Sequence, residues 1–209
     1  MNQEFIDPRE DLEGFLAAYN AMPGKKGKFS FRKARAHFHT INHHKWLVMC
    51  GCFRLGMYKQ GLLHDLSKYN PVEFMAGCRY YQGFKSPNNV EREQEGFSRA
   101  WLHHKGRNLH HLEYWLDYTV DEKVNFGGMK MPVKYVVEMY VDRVAACKNY
   151  MKDNYEDGSA LAYYNKGRAK VLLHRDTAAL LEFMLEMLAR DGEKATEDYI
   201  RRHILKNKK

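Results

Sequence analysis

Three observations predict an all-α fold. Apolar residues recur at helical spacing over roughly 8–20, 41–60, 69–81, 91–104, 109–118, 133–152 and 177–190, and more weakly over 194–205. The alternating Val/Ile/Thr runs of half-buried strands are missing. Turn chemistry falls between the stretches rather than within them. Pro23 and Gly24 close the first. Ser86, Pro87, Asn88 and Asn89 precede the fourth, and Asn108 is a plausible N-cap for the fifth. Gly127, Gly128 and Pro132 precede the sixth, with the two glycines allowing either a mobile lid or an ordinary connection. Asp176 or Thr177 reads as the N-cap of the seventh, and Gly192 lies just past its end. The Met- and Leu-rich run from Leu180 to Leu188 is most simply core. No linker or repeat interrupts the pattern, so a single helical domain spanning 1–209 is expected.

Composition narrows the class. The chain has 209 residues, 44% hydrophobic and 29% charged, a globular balance. Four cysteines are too few for a disulfide scaffold, and Cys50 with Cys52 reads as core thiols. No apolar run approaches the ~18 residues of a membrane helix, and the first residues lack a basic-then-apolar signal pattern. A cytoplasmic protein without membrane partners is the expectation. The net charge is +8. Lys25, Lys26, Lys28, Arg32, Lys33, Arg35 and Lys45 concentrate in 24–45, which holds no acidic residue. A second basic group is the tail, with Arg201, Arg202, Lys206, Lys208 and Lys209. Such charge favours an anionic partner, either a phosphorylated small molecule or nucleic acid.

The unusual number is eleven histidines. At about 100° per residue, His44 falls on the apolar stripe with Leu47, Val48, Gly51 and Leu55, and His43 toward its edge. His104 falls with Phe97, Ala100 and Trp101, and His103 points to the side. If 109–118 is helical, His111 borders the apolar stripe beside Trp115, and His110 lies on the far face. His64 and Asp65 follow the apolar Leu62 and Leu63. Asp142 shares a face with Glu138, Ala145 and Ala146. Buried imidazoles and carboxylates need hydrogen bonds or a metal, and they are the usual ligands of catalytic Zn, Fe, Mn or Co. Two other metal frameworks are excluded, since neither Glu-x-x-His nor His-Glu-x-x-His occurs. The spacing in Gly24–Lys28 is not that of a phosphate-binding P-loop.

The run Gly61, Leu62, Leu63, His64, Asp65, Leu66, Ser67, Lys68 resembles the helix-end signature of the HD-domain superfamily. His44 to Val48 resembles its first-histidine helix, and Tyr140 to Val144 its last helix, which supplies the final aspartate. The resemblance implies an HD-like helical bundle, with a metal-binding core at about 41–147 and additional N- and C-terminal helices. It implies one metal held by His44, His64, Asp65 and Asp142, with Asp65 bridging to a second held by His104 and His111. Mn, Fe, Co, Ni or Zn would suit. His43, His103 and His110 stay open as alternative ligands. Lys68 would meet the substrate or the metal-bound oxygen. Lys105 and Arg107, in the short turn between two ligand-bearing segments, would help to hold its phosphate. Ser67 stands where glycine is common in the motif. The tyrosine-proline motif of cyclic-dinucleotide members is missing after His104. As a whole the chain also resembles small bacterial and phage-associated proteins with no established activity.

Phosphoester hydrolysis by metal-activated water is the activity most often implied, on a small phosphorylated substrate such as a nucleotide. Some superfamily members with the same ligand order hold two irons and cleave C–C or C–P bonds with dioxygen. A third possibility comes from the residues themselves. Phe29, Phe31 and Phe38 interleave with the basic residues of 24–45, as in nucleic-acid-binding proteins. Trp101, Tyr114, Trp115 and Tyr118 flank the proposed ligands and would pack the core or line a pocket.

Overall fold

The computed structural model describes residues 6–21, 27–120, 125–167 and 172–206. Two long helices carry the architecture, α2 (Phe31–Arg54) and α7 (Val133–Met151), which pack against one another. Their contact is close at Gly51, where a Cβ would stand 2.7 Å from Val141 Cγ1. Around them lie α1 (Leu12–Asn20), α3 (Tyr58–Leu63), α4 (Pro71–Tyr80), α5 (Pro87–Glu95), α6 (Arg99–Lys105), α8 (Ser159–Gly167) and α9 (Arg175–Tyr199). The expected all-α class is the one observed. The one sheet among the described residues pairs β1 (Leu116–Tyr118) with β2 (Phe126–Gly128).

Several expected elements have different limits. α2 begins at Phe31 rather than near 41, because Ser30 caps it by accepting from the Lys33 amide. Its buried stripe opens with a histidine, His37, followed by Ile41, His44 and Val48. A polar first member hid the periodicity. The helix stops at Arg54, where Gly56 takes φ 74°, so 41–60 contains part of α2 and the first half of α3. The 91–104 stretch is likewise split by Gly96 (φ 79°) and by Ser98, whose side chain caps α6. α8 lies outside every stretch of helical periodicity in the sequence. His174, not Asp176 or Thr177, caps α9 by accepting from the Asp176 amide. Gly192 (φ 82°) kinks α9 instead of ending it, and a π-helical turn, Ile200–Ile204, follows.

The 109–118 segment is not an α-helix. A single 3-10 turn, Leu112–Trp115, leads into β1. The Trp115 indole donates to the Leu109 carbonyl, and Asn108 donates back to the His104 carbonyl instead of capping a helix. The Gly127–Gly128 connection becomes β2. It is packed closely enough that a Cβ on Gly128 would meet the Leu172 carbonyl at 2.5 Å.

The main core joins α2, α7, α8 and α9 through Val48, Val137, Val144, Tyr164, Leu181 and Leu185. A smaller cluster, Ala76, Tyr80, Val90 and Ala100, joins α4, α5 and α6. α2 contacts both groups, with α4 drawn in because Gly77 has no side chain. A Cβ there would lie 1.9 Å from the His37 ring. Among the described residues no helix is long and apolar enough to cross a membrane.

Candidate metal centre

Ligand-type side chains converge on the inner face of α2, drawn from both sides of the molecule. His44 projects from the middle of α2, and Asp142 from the middle of α7. His64 ends α3, and Asp65 follows in the left-handed region (φ 53°, ψ 27°). That conformation is uncommon outside glycine and is best tolerated by Asp and Asn. It turns the chain so that two consecutive side chains enter one site. His104 comes from α6, and His110 and His111 from the irregular segment that follows.

The groups form two sets that share one residue. His44, His64, Asp65 and Asp142 present donor atoms within 4.8 Å of one another, as do Asp65, His104, His110 and His111. In the first, Asp65 Oδ2 lies 3.3 Å from His64 Nε2 and 3.8 Å from His44 Nε2. Asp142 Oδ1 stands 2.9 Å from His44 Nε2 and 3.4 Å from His64 Nε2. In the second, the other oxygen, Asp65 Oδ1, lies 3.3 Å from His104 Nε2 and 3.4 Å from His110 Nε2. His111 Nε2 is 2.8 Å from His104 Nε2.

These atoms fit cations better than they fit each other. His44 Nε2, His64 Nε2, His110 Nε2 and both Asp65 oxygens are buried and make no aligned hydrogen bond. Lys68 pairs with Asp65 Oδ2, and Asp142 stands beside His44 Nε2. Each group left unsatisfied costs ~1–3 kcal/mol, so His64 Nε2, His110 Nε2 and Asp65 Oδ1 in one place favour a ligand. The cluster has the donor set and spacing to hold metal ions.

Behind the donors stand two buried glutamates. Glu138 Oε1 accepts from His64 Nδ1 at 3.0 Å and lies 3.2 Å from His110 Nδ1. Glu73 accepts from His104 Nδ1 at 2.8 Å and from His103 Nδ1 at 2.6 Å. Carboxylates on the far nitrogen fix the tautomer, so that Nε2 keeps its lone pair for a metal. Glu138 is thereby a positioning group for both sets, although its distances also allow a third set with His64 and His110.

Electrostatics run the same way. Burial opposes ionisation of Asp65, but His64, Lys68 and His104 overcome it and hold the carboxyl well below the ordinary range. Asp142 is also held low, against burial, by His44 and His64. Burial and then Lys68 lower His44, and burial with the neighbouring His110 and His104 lowers His111, leaving both imidazoles neutral. His64 moves up despite burial, because Asp65, Asp142 and Glu138 surround it. A cation at Nε2 would replace that proton.

The centre opens into a cavity of about 880 Å³, lined near the donors by Lys68, Trp101, Arg143 and His37. Farther out the lining includes Phe84, Lys85, Asn88, Arg92 and Tyr163. Lys68 Nζ sits 2.5 Å from Asp65 Oδ2. Burial works against its charge, but Asp65 and Asp142 raise its pKa above that of an ordinary lysine. Lys105 and Arg107 correct the sequence reading, since neither lines this cavity. α6 ends at Lys105, and exposed Arg107 donates to the His103 carbonyl. His43 is also remote, bonded to Asn149 and stacked on Trp46.

His110 corrects the face argument, because without a helix the far face does not exist. His110 and His111 enter together. Glu73, Arg143 and His37 were not singled out from sequence. Glu73 had no flanking signal, whereas Arg143 adjoins Asp142 and His37 lies two turns before His44. Ser67 takes a role of its own, 3.1 Å from His104 Nδ1 and accepting from Asn108. Trp101 forms part of the wall beside His104 and His111, and Trp115 packs on the core, while Tyr114 and Tyr118 are exposed.

No curated protein and no solved structure matches the chain. A family model described as "Family of unknown function (DUF5662)" matches residues 33–187, a span that contains every donor described above. The chain belongs to that family.

Proposed function

We propose that the chain is a metal-dependent phosphohydrolase of the HD type, acting on a small phosphorylated substrate such as a nucleotide. The observation that carries this reading is Asp65, whose two oxygens face two separate donor sets. His44, His64, Asp65 and Asp142 would hold one ion, and Asp65, His104, His110 and His111 a second. Two such ions supply Lewis acidity, lowering the pKa of water toward ~7 and sharing the charge of a phosphoryl group.

The remaining work belongs to the side chains. Lys68 places a fixed positive charge beside Asp65 and steers an anion to the donors. Arg143 faces the same cavity with its Nε buried and unsatisfied, ready to donate to a non-reacting oxygen. Trp101 closes the wall against His111 and limits water. Phe84 and Tyr163, both exposed at the outer cavity wall, offer ring faces to a heterocycle. The cavity volume suits a small molecule.

The test is to strip the protein with chelator, reload it with Mn, Co, Ni, Zn or anaerobic Fe, and assay p-nitrophenyl phosphate, its diester and a nucleotide panel. Hydrolysis that returns with metal supports the reading. Protein reloaded to two ions per chain that hydrolyses none of them contradicts it. The three imidazoles of the second set favour one other reading, a di-iron oxygenase cleaving a C–C or C–P bond, since imidazole suits iron. Substrate-dependent dioxygen uptake by iron-loaded protein would select it.

A further inference from the structure

The basic, aromatic stretch at 24–45 is not used by the metal centre. Its seven positive charges leave the rest of the chain at only +1 of the whole +8. Residues 31–45 of it lie on α2. Counting 100° per residue from His44, His37 and Val48 fall within about 40° of the inward direction. Phe31, Arg32, Arg35, Phe38, His39 and Trp46 fall between about 120° and 240°, on the opposite side. Their exposure agrees, with Phe31 83%, Trp46 55% and Phe38 51% accessible. Phe29 packs edge-on against Phe31, Tyr69 lies 6.3 Å from Phe38, and Trp46 stacks beside His43, so the rings stand in separate pairs along the helix.

The charges on this face are free. Lys33 and Lys45 spend their ammonium groups on backbone carbonyls. Arg32 and Arg35 make no ion pair among the described residues and are exposed. The acidic partners of α2 lie elsewhere, with Asp65 and Asp142 facing His44 on the inner side and Glu193 and Glu197 beside Arg54 at the far end. Aromatic and arginine side chains also serve protein interfaces, so the choice of occupant rests on charge, since 24–45 carries seven Lys and Arg and no acidic residue. Here the outward large side chains from 29 to 46 are all aromatic, with cations between them. Ring faces spaced along a cationic track fit a polyanion whose bases are unpaired, because every base has a face to stack. A duplex would cover its bases and leave the rings without use.

We propose that the outer face of α2, centred on Phe31, Arg32, Arg35, Phe38 and Trp46, binds single-stranded nucleic acid. This surface lies on the side of α2 opposite the metal centre, so the proposal stands apart from the hydrolase reading.

The experiment is fluorescence anisotropy of the full chain with a labelled oligothymidylate and with a duplex of the same length, across a salt series. The single strand is expected to bind more tightly than the duplex, with affinity falling as salt rises. Phe31→Ala/Phe38→Ala is expected to weaken binding about tenfold or more. Arg32→Ala/Arg35→Ala is expected to lower the salt slope by about 1.4, the share of two phosphate contacts on a single strand. Circular dichroism checks the fold of each variant, whose changed positions are on the surface. Arg201→Ala/Arg202→Ala in the tail is expected to change nothing. Salt-insensitive binding, preference for duplex, loss only in the tail variant, or no binding at low salt would each overturn the proposal. So would a dimer that Phe31→Ala/Phe38→Ala dissolves without any effect on nucleic acid.

Discussion

The two donor sets around Asp65 are unlike in construction. His44 and Asp142 stand on the two long helices of the main core, α2 and α7, while His64 ends the six-residue α3, and that set holds two carboxylates. His104, His110 and His111 come from a seven-residue helix and an irregular turn, and that set holds three imidazoles and only the shared Asp65. A site with more anionic oxygen and firmer supports is suited to harder cations such as Mn. An imidazole-rich site prefers Zn, Fe, Co or Ni. On the proposed reading the pair need not fill together, and a two-ion chemistry would depend on both sets being filled.

The largest effect is expected at the shared residue. Asp65→Asn keeps a side chain that tolerates the left-handed backbone but removes the bridging charge. Metal content is expected to fall at both sets, and phosphatase activity by at least about a thousandfold, as for loss of a principal electrostatic group. Next come the unshared ligands. His110→Ala is expected to remove one ion and leave the other, while Asp142→Asn removes the ion that His110→Ala retains. Elemental analysis of the two variants separates the sets, and identical losses would merge them into one site.

Smaller changes test the supports. Glu138→Gln keeps shape but loses the charge facing His64 Nδ1 and His110 Nδ1, and is expected to weaken metal affinity about 10–100-fold at both sets. Glu73→Gln should weaken only the second set, by titration against a competing chelator. His103→Ala, which touches Glu73 but no donor, should retain both ions.

The last effect is on stability rather than on metal and involves His37. Burial, and then Lys68, hold its pKa at about 4, against 6.5 in the unfolded chain. The folded state therefore keeps it neutral while the unfolded state takes up a proton. Its contribution is present above pH 6.5 and is lost as pH falls toward 4, by up to about 3 kcal/mol. In urea unfolding across that window, His37→Gln is expected to show a shallower loss than the parent. Parallel curves would rule this out.

The same contrast explains what could be read from the chain alone. α7 and the His44 half of α2 carry unbroken apolar stripes, so Asp142 and His44 could be placed by face. His64 and Asp65 were marked by their doublet. Residues 109–118 have apolar residues at helical intervals but form a 3-10 turn and a strand, because Trp115 and Asn108 spend their hydrogen bonds on Leu109 and His104. A face argument built on a helix therefore put His110 outside. Glu73 and Glu138 meet their histidines only through tertiary packing, across 31 and 74 residues of chain, which no local pattern records.

The most direct test is the metal count by elemental analysis of protein purified without chelator and saturated with Mn or Co, beside Asp65→Asn. Two ions per chain in the parent, both lost in the variant, is the predicted result. A parent that stays metal-free under saturation, or a variant that keeps both ions, would contradict a paired centre built on Asp65.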